Sequence, residues 1–247
     1  MLHYKLYSVP NLGYFYIDTF DDTIKGHLGH GQIWEPKINA LIKYFSKINS
    51  TVIDVGTFVG SHTIAMSKAV GAFGKVIGFE PLLNNFCECA INLVENGCFN
   101  TILYHYALSN KEYTGEIIVI GGGEAITHIN DSEEIDQNIL LNQNNYRENV
   151  QVKKLDGFNF KNVSLIKIDV EGHQNEFLEG AIRTINENMS VILFEANDPQ
   201  LDDRNDTSKY IESLGYICMH IENSDWLAIP IQKNGSLKIR DKITGTL

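Results

Sequence analysis

Residues 54–63 read Asp-Val-Gly-Thr-Phe-Val-Gly-Ser-His-Thr and lie between an apolar run and a helical pattern. Gly56 and Gly60 allow the backbone to turn sharply and to approach a ligand closely. The helix that follows presents unpaired N–H groups at its start, where a carboxylate or a phosphate can bind. Ligands of open α/β sheets bind at the carboxyl ends of strands, so this turn is the first candidate binding site.

The spacing of the glycines distinguishes two classes of ligand. A dinucleotide-binding turn needs glycine at the position of Phe58, so that the pyrophosphate can contact the backbone. The bulky residue leaves Asp-x-Gly-x-x-x-Gly, a pattern typical of methyltransferases that bind S-adenosylmethionine. Asp54 is then expected near the cationic end of the cofactor. Glu80, a loop carboxylate after the next strand, is expected to accept the ribose hydroxyls and to contribute little packing. A plain strand-to-helix turn that uses glycine for packing is the alternative.

A second group of reactive side chains, Asp169, Glu171 and His173, follows a strand predicted at 163–169. Asp169 is best placed to contact an acceptor, and an imidazole such as that of His173 titrates near neutral pH and can act as a base. Glu171 could instead cap the next helix, and His173 could be an ordinary exposed residue. The three could also bind Mg²⁺ or Ca²⁺. Gly172 is predicted to end the strand, however, and methyl transfer from a sulfonium needs no metal, so none is expected.

Alternating strands and helices must position these residues. Strands are predicted at 51–55, 75–80, 101–107, 163–169 and 190–195, and helices at 62–70, 84–96 and 175–188. This alternation predicts an α/β fold with a doubly wound, mostly parallel sheet. An antiparallel hairpin at 216–221 and 226–231 is expected to close one edge. Glu195 and Asn197, after the strand at 190–195, are further candidates for the pocket wall.

Two segments depart from the alternation. Residues 1–34 are predicted to be a small β-rich segment that precedes one domain at 35–247. Residues 112–160 are predicted to be an insertion in which 115–120 and 150–155 pair as strands. The polar loop between them is a candidate lid.

Composition excludes several classes of protein. Hydrophobic residues make up 43% of the 247, enough for a large core. The net charge of −11 disfavours nucleic acid as a partner. The cysteines at 87, 89, 98 and 218 lack the paired spacing of a zinc site. No apolar run approaches the ~20 residues that span a bilayer, so a soluble, cytoplasmic protein without a membrane partner is expected. The oligomeric state is not indicated.

Together these segments resemble the FkbM-type methyltransferases. The matching residues are 52–63, 78–81, 107–109, 167–173 and 180–181, within a region from about Gly31 to Asn197. Lys-Ile-Asp-Val-Glu-Gly at 167–172 is the most specific of them. The resemblance implies a class I methyltransferase (Rossmann-like) fold and O-methylation, with sugars and polyketide-type hydroxyls among the substrates of such families. The first 30 residues and the Asn-rich insertion match the family poorly, so the resemblance does not identify the substrate of this chain.

The resemblance also implies a set of cofactor contacts. Asp54, Gly56 and Gly60 would line the methionine and ribose, and Glu80 would hold the ribose hydroxyls. The adenine would lie beside a set of mostly apolar residues: Pro81, Leu82, Ala107 and Leu108. Glu35 resembles an upstream acid of the family that reaches the cofactor or the pocket mouth. Thr63 and Asp169 complete the set.

The sequence therefore predicts an S-adenosylmethionine-dependent O-methyltransferase that acts on a hydroxyl of a small molecule, with a sugar or glycan favoured. Two alternatives remain open. A nicotinamide-dependent oxidoreductase or epimerase shares the strand, glycine turn, helix and acid. A non-catalytic nucleoside-binding protein could keep the fold without the transfer.

Overall fold

The computed structural model describes residues 4–18, 23–119, 128–130, 146–170, 172–196 and 206–231. The helices are α1 (Thr23–Gly29), α2 (Pro36–Phe45), α3 (Ser61–Val70), α4 (Leu83–Glu95), α5 (Gln174–Asn188) and α6 (Asp206–Ser213). The strands are β1 (Lys5–Val9), β2 (Gly13–Ile17), β3 (Thr51–Val55), β4 (Lys75–Phe79), β5 (Thr101–Tyr104), β6 (Ala107–Leu108), β7 (Tyr113–Val119), β8 (His128–Asn130), β9 (Tyr146–Lys153), β10 (Val163–Ile168), β11 (Val191–Glu195), β12 (Tyr216–Glu222) and β13 (Asp225–Pro230).

Seven strands form the main sheet in the order β12-β13-β11-β10-β3-β4-β5. The five strands from β11 to β5 in that order are parallel, and β13 is antiparallel to both of its neighbours. β3 and β10 are buried along their whole length, as central strands covered on both faces must be. The predicted doubly wound sheet and the C-terminal hairpin at its edge are confirmed.

The strand register sets which side chains meet at the carboxyl edge of the sheet. Lys167 of β10 pairs with Asp54 of β3, so an ammonium and a carboxylate lie on adjacent central strands. Glu195, which ends β11, pairs with Asp225, which begins β13. The polar residues of the candidate site therefore lie on neighbouring strands at one edge of the sheet.

Helices cover both faces of the sheet. The apolar sides of α5 and α6 share a core with β10 and β11, whereas α2 and α3 pack on the opposite face. A third cluster joins α3 and α4 to the N-terminal hairpin. No helix among the described residues is both long and apolar enough to cross a membrane.

The strand predicted at 101–107 is divided between two sheets, which corrects the prediction. β5 ends at Tyr104, and β6 leaves the main sheet to pair in parallel with β9. β7 pairs antiparallel with β9 and with β8, so three strands of the insertion and β6, which precedes it, form a second, four-stranded sheet. Residues 131–145, which include most of the loop predicted as a lid, lie outside the described residues.

The N-terminal segment contains more than strands. β1 and β2 form an antiparallel hairpin, and helix α1, which the sequence did not predict, follows it. Asn92 holds this hairpin against α4, because its Oδ1 accepts a hydrogen bond from the Tyr16 amide at 2.7 Å. The Asn92 Nδ2 donates to the Val59 carbonyl at 2.9 Å. One side chain thus links the hairpin to the turn after β3.

Candidate active site

The glycine turn after β3 is shaped by the protein around it. Gly56 has a φ of +86°, and a Cβ there would lie 2.0 Å from the backbone oxygen of Asp169. Gly60 has a φ of +92°, and its Cβ would lie 3.0 Å from the Cys89 sulfur on α4. Both positions have the left-handed conformation that favours glycine, and at Gly56 the Asp169 backbone also excludes a Cβ. The close packing that the alternative interpretation of these glycines predicts is therefore observed, whereas their contact with a cofactor stays a prediction.

Asp54 lies beneath this turn with only 1% of its surface exposed. Its Oδ2 accepts a hydrogen bond from the Thr63 hydroxyl of α3 at 2.6 Å. Burial raises the pKa of Asp54 to about 6, although Lys167 and Thr63 act in the opposite direction. Within the described residues, neither Asp54 Oδ1 nor the buried Ser61 hydroxyl has a hydrogen-bond partner. Buried polar atoms of this kind are normally satisfied, so the turn is suited to a polar ligand.

Glu80 departs from the loop carboxylate that the sequence predicts, because it is only 4% exposed. Its Oε2 accepts from the Phe58 amide at 2.9 Å and its Oε1 from the Leu82 amide at 3.0 Å. Burial raises the pKa of Glu80 to about 7, and the two amides oppose that shift. The carboxylate therefore joins the turn after β3 to the turn after β4.

Lys167 is a functional candidate that the sequence reading passed over. It is 4% exposed inside a fully buried strand, and its Nζ lies 2.8 Å from Asp169 Oδ2. Burial by itself would lower the pKa of Lys167, but the carboxylates around it, Asp169 and Asp54 foremost, raise it. A lysine in the middle of an apolar strand was the available signal, since buried lysines are rare unless paired.

His173 occupies the N-cap position of α5 without a capping hydrogen bond from its side chain, and it contacts Ser109, which was not a predicted site residue. Its Nε2 lies 2.9 Å from the Ser109 hydroxyl after β6, and its Nδ1 lies 3.7 Å from Glu176 Oε2. The imidazole is thus oriented by the second sheet and by its own helix. Its role as a base stays a prediction, and Glu171 lies outside the described residues.

Glu35 contacts helix α3, and its approach to a cofactor stays a prediction. It occupies the position before α2 with a φ of 45°, and its Oε2 lies 3.5 Å from His62 Nε2. Burial raises the pKa of Glu35 to about 7 and lowers that of His62 well below its usual value. Burial, followed by the charge of Asp169, raises the pKa of Glu195 to about 9. The other wall candidate, Asn197, lies outside the described residues.

The residues expected beside adenine are mostly buried against other parts of the protein. Leu82 and Ala107 belong to the core of the second sheet, and Leu108 belongs to the main core. Pro81 is half-buried. Their contact with adenine stays a prediction.

Comparison with known proteins identifies the family to which this chain belongs. A family model described as the Methyltransferase FkbM domain matches residues 54–218, more than half of the chain. The chain belongs to the FkbM methyltransferase family. This membership confirms the resemblance that the motifs indicated. No curated protein matches the chain significantly.

Two solved structures show that the fold is shared with methyltransferases. Methyltransferase FkbM from Methylobacillus flagellatus KT is 16% identical with a TM-score of 0.50, over 84% of this chain and 53% of that one. This FkbM-family chain thus spans about half the length of that protein. A SAM-dependent O-methyltransferase from Thermotoga maritima is 14% identical with a TM-score of 0.50, over 94% of this chain and 87% of that one. The predicted class I methyltransferase fold is confirmed.

Proposed function

We propose that this FkbM-family protein is an S-adenosylmethionine-dependent O-methyltransferase that acts on a hydroxyl of a small molecule, a sugar or glycan being the expected acceptor. The observation that supports this best is the turn after β3. There one oxygen of the buried Asp54 and the buried Ser61 hydroxyl have no hydrogen-bond partner among the described residues, beneath two glycines in the left-handed conformation. The net charge of −11 favours a small molecule over nucleic acid as partner.

The residues of the turn fit the polar parts of this cofactor. Asp54 Oδ1 and the Ser61 hydroxyl would serve its methionine end, which carries an ammonium and a carboxylate. Glu80 Oε1 accepts the Leu82 amide and, at 3.4 Å, the Asn85 side chain, whereas Oε2 accepts only the Phe58 amide. A carboxylate oxygen has two lone pairs, so Oε2 keeps the capacity to accept a ribose hydroxyl as well.

The same turn argues against a nicotinamide cofactor. Phe58 stands where a dinucleotide site has glycine, and its backbone has a φ of 48°. Its amide donates to Glu80, so this N–H is not directed at a pyrophosphate. Calorimetry with S-adenosylhomocysteine and with NAD tests this point: binding of NAD alone would favour the oxidoreductase or epimerase.

S-adenosylmethionine supplies an activated methyl group when bound, so the protein must align the acceptor hydroxyl and accept its proton. Asp169 lies at the carboxyl end of β10, with Lys167 on its Oδ2. We assign it to orient the acceptor and to accept the proton. His173, held by Ser109, is the second candidate base. Alignment within a pocket lowers barriers by up to about 7–11 kcal/mol, and a general base adds roughly 10²–10⁴-fold in rate.

The test is incubation with labelled S-adenosylmethionine and a panel of hydroxylated sugars and glycans, followed by mass analysis. Asp169→Asn and His173→Ala should each lower turnover, by roughly 10²–10⁴-fold for the true base, with cofactor affinity nearly unchanged. His220→Ala is the matched control, because His220 lies on edge strand β12 and bonds the Asn223 carbonyl. Cofactor binding without transfer to any acceptor would favour the non-catalytic alternative. Wild-type turnover in both variants would move the search for the base to Glu171, Glu195 and Glu35.

A further inference from the structure

Three exposed apolar side chains lie along one edge of the main sheet. Ile48 is in the loop before β3, Phe73 in the loop before β4 and Phe99 in the loop before β5. Because β3, β4 and β5 are adjacent parallel strands, these loops lie side by side at the amino edge of the sheet, opposite the candidate active site. The three residues are 69%, 86% and 83% exposed, the highest fractions among the large apolar residues that the structure describes.

Hydrogen bonds join the three loops at this amino edge. The Lys75 amide donates to the Ser50 carbonyl at 2.9 Å, which joins the loops before β3 and β4. The Asn100 Nδ2 donates to the Gly71 carbonyl at 2.9 Å, which joins the loops before β4 and β5. Single exposed apolar residues are ordinary on protein surfaces, whereas a group of them at one place marks an interaction surface.

Lysines surround the apolar side chains of the amino edge. Between Glu35 and Glu80 the sequence has five lysines and one acidic residue, Asp54, which is buried near the opposite edge. Four of these lysines are exposed and lie in the last turns of α2 and α3 or in and beside the loops, namely Lys43, Lys47, Lys68 and Lys75. None of the four forms an ion pair with a carboxylate of the described residues. Glu95, at the end of α4, offsets them only in part, so this edge is a positive region on a chain of net charge −11.

The combination of apolar loop tips and lysines matches an anionic bilayer. Anionic lipid head groups attract lysine side chains, and apolar side chains gain from burial at the boundary with the acyl chains. Nucleic acid is favoured less, because residues 36–79 contain no arginine and Ile48 offers no ring on which a base could stack.

We propose that the amino edge is a docking surface for an anionic phospholipid bilayer, with Ile48, Phe73 and Phe99 entering the head-group region and the lysines binding lipid phosphates. The expected absence of a membrane partner rested on the lack of a spanning segment, and contact with one leaflet needs none. The candidate active site lies at the opposite edge of the sheet, so docking leaves it open. This inference and the proposed function therefore fail independently.

The experiment is sedimentation of the full chain with vesicles made of equal parts phosphatidylglycerol and phosphatidylcholine, and with vesicles of phosphatidylcholine alone. The wild type should bind the former and bind the latter much more weakly. The double variant Lys47→Gln/Lys75→Gln should bind the anionic vesicles about thirtyfold more weakly. Phe73→Ser/Phe99→Ser should weaken binding by at least about tenfold, because two apolar side chains are no longer buried.

Two control variants change the same kinds of residue elsewhere. Leu83→Ser replaces an apolar residue that is 49% exposed at the start of α4, on the carboxyl side of the sheet. Lys153→Gln replaces a lysine of the second sheet that pairs with Glu112. Both controls should bind anionic vesicles like the wild type. Equal binding by the wild type and both double variants would overturn the proposal.

A second measurement reports which side of the protein enters the lipid. In Phe73→Trp, lipids brominated on their acyl chains should quench the added fluorescence of the bound protein, and in Leu83→Trp they should not. Vesicle binding without quenching at position 73 would overturn the proposal. Two further outcomes would also overturn it in the absence of vesicle binding. Binding of a single-stranded RNA oligonucleotide would assign the edge to nucleic acid, and self-association that Phe73→Ser/Phe99→Ser abolishes would assign it to a second copy of the chain.

Discussion

Replacement of Gly56 by alanine separates two contributions to the stability of the glycine turn. Gly56 has a φ of +86°, and its new Cβ would lie 2.0 Å from the Asp169 backbone oxygen. Gly215 has a φ of +89°, and its new Cβ would have nothing within 4 Å. Gly56→Ala and Gly215→Ala therefore impose the same backbone penalty, and only the former adds a clash.

The expected magnitudes follow from these two environments. A non-glycine residue in the left-handed region costs about 1–2 kcal/mol, which applies to both variants. Ordinary contacts of a Cβ begin at 3.4 Å, so the turn at Gly56 and the backbone of Asp169 must separate by more than 1 Å. Forcing extra atoms into a packed interior costs typically about 1–3 kcal/mol more. For a chain of this size that excess lowers Tm by roughly 2–12 °C beyond the control.

Thermal unfolding followed by circular dichroism measures this difference, and calorimetry with S-adenosylhomocysteine measures its consequence for the site. The Gly56→Ala protein should bind S-adenosylhomocysteine more weakly at a temperature where it is still folded, because Asp54 and Ser61 flank the shifted turn. Gly215→Ala should bind like the wild type. Equal Tm values and equal affinities for the two variants would refute the steric argument.

Three further predictions concern buried polar residues. Glu80→Gln should remove a pH dependence of the free energy of unfolding. The pKa of Glu80 is about 7 in the folded chain, against an ordinary value of 4.5. The contribution of this group to the stability of the wild type is therefore fully present below pH 4.5, and up to about 3 kcal/mol is lost as the pH rises through 7. Lys167→Met should lower the free energy of unfolding by about 3–5 kcal/mol, because it leaves the Asp169 carboxylate without its buried partner. Asn92→Ala should cost about 2–4 kcal/mol, because the part-buried Tyr16 amide and the buried Val59 carbonyl lose their hydrogen bonds.

Urea denaturation tests all three, with a control for each charged residue. Glu187→Gln and Lys161→Met break the exposed Lys161–Glu187 ion pair and should change stability by at most about 1 kcal/mol. For Glu80 the measured quantity is the difference between variant and wild type at pH 5 and at pH 8. A constant difference would contradict the buried titration. If Lys167→Met lowers the free energy of unfolding no more than Lys161→Met does, the stabilising role of the buried Lys167–Asp169 pair is contradicted. If Asn92→Ala leaves the free energy of unfolding unchanged, the stabilising role of the Asn92 hydrogen bonds to the hairpin is contradicted.

The sequence by itself determined the central sheet and the position of the glycine turn. Strand β3 coincides with its prediction, and β10 and β11 lie within one residue of theirs, because strands buried on both faces must be apolar runs. The turn at Gly56 was also identifiable, since glycine between a strand and a helix marks a backbone that few other residues can adopt. These signals are local: each is contained within about ten residues.

The tertiary structure alone decided how distant residues meet. Glu35, Glu195 and Asp225 are far apart in the chain, and only the order of the strands and the packing of α2 bring their oxygens within 4.8 Å. The same holds for the contact of His173 with Ser109, which depends on β6 leaving the main sheet. Periodicity in a sequence reports which side of an element is buried, but it does not report the element that covers it. Distances between side chains on different elements are fixed by strand register and helix packing, which the fold sets as a whole.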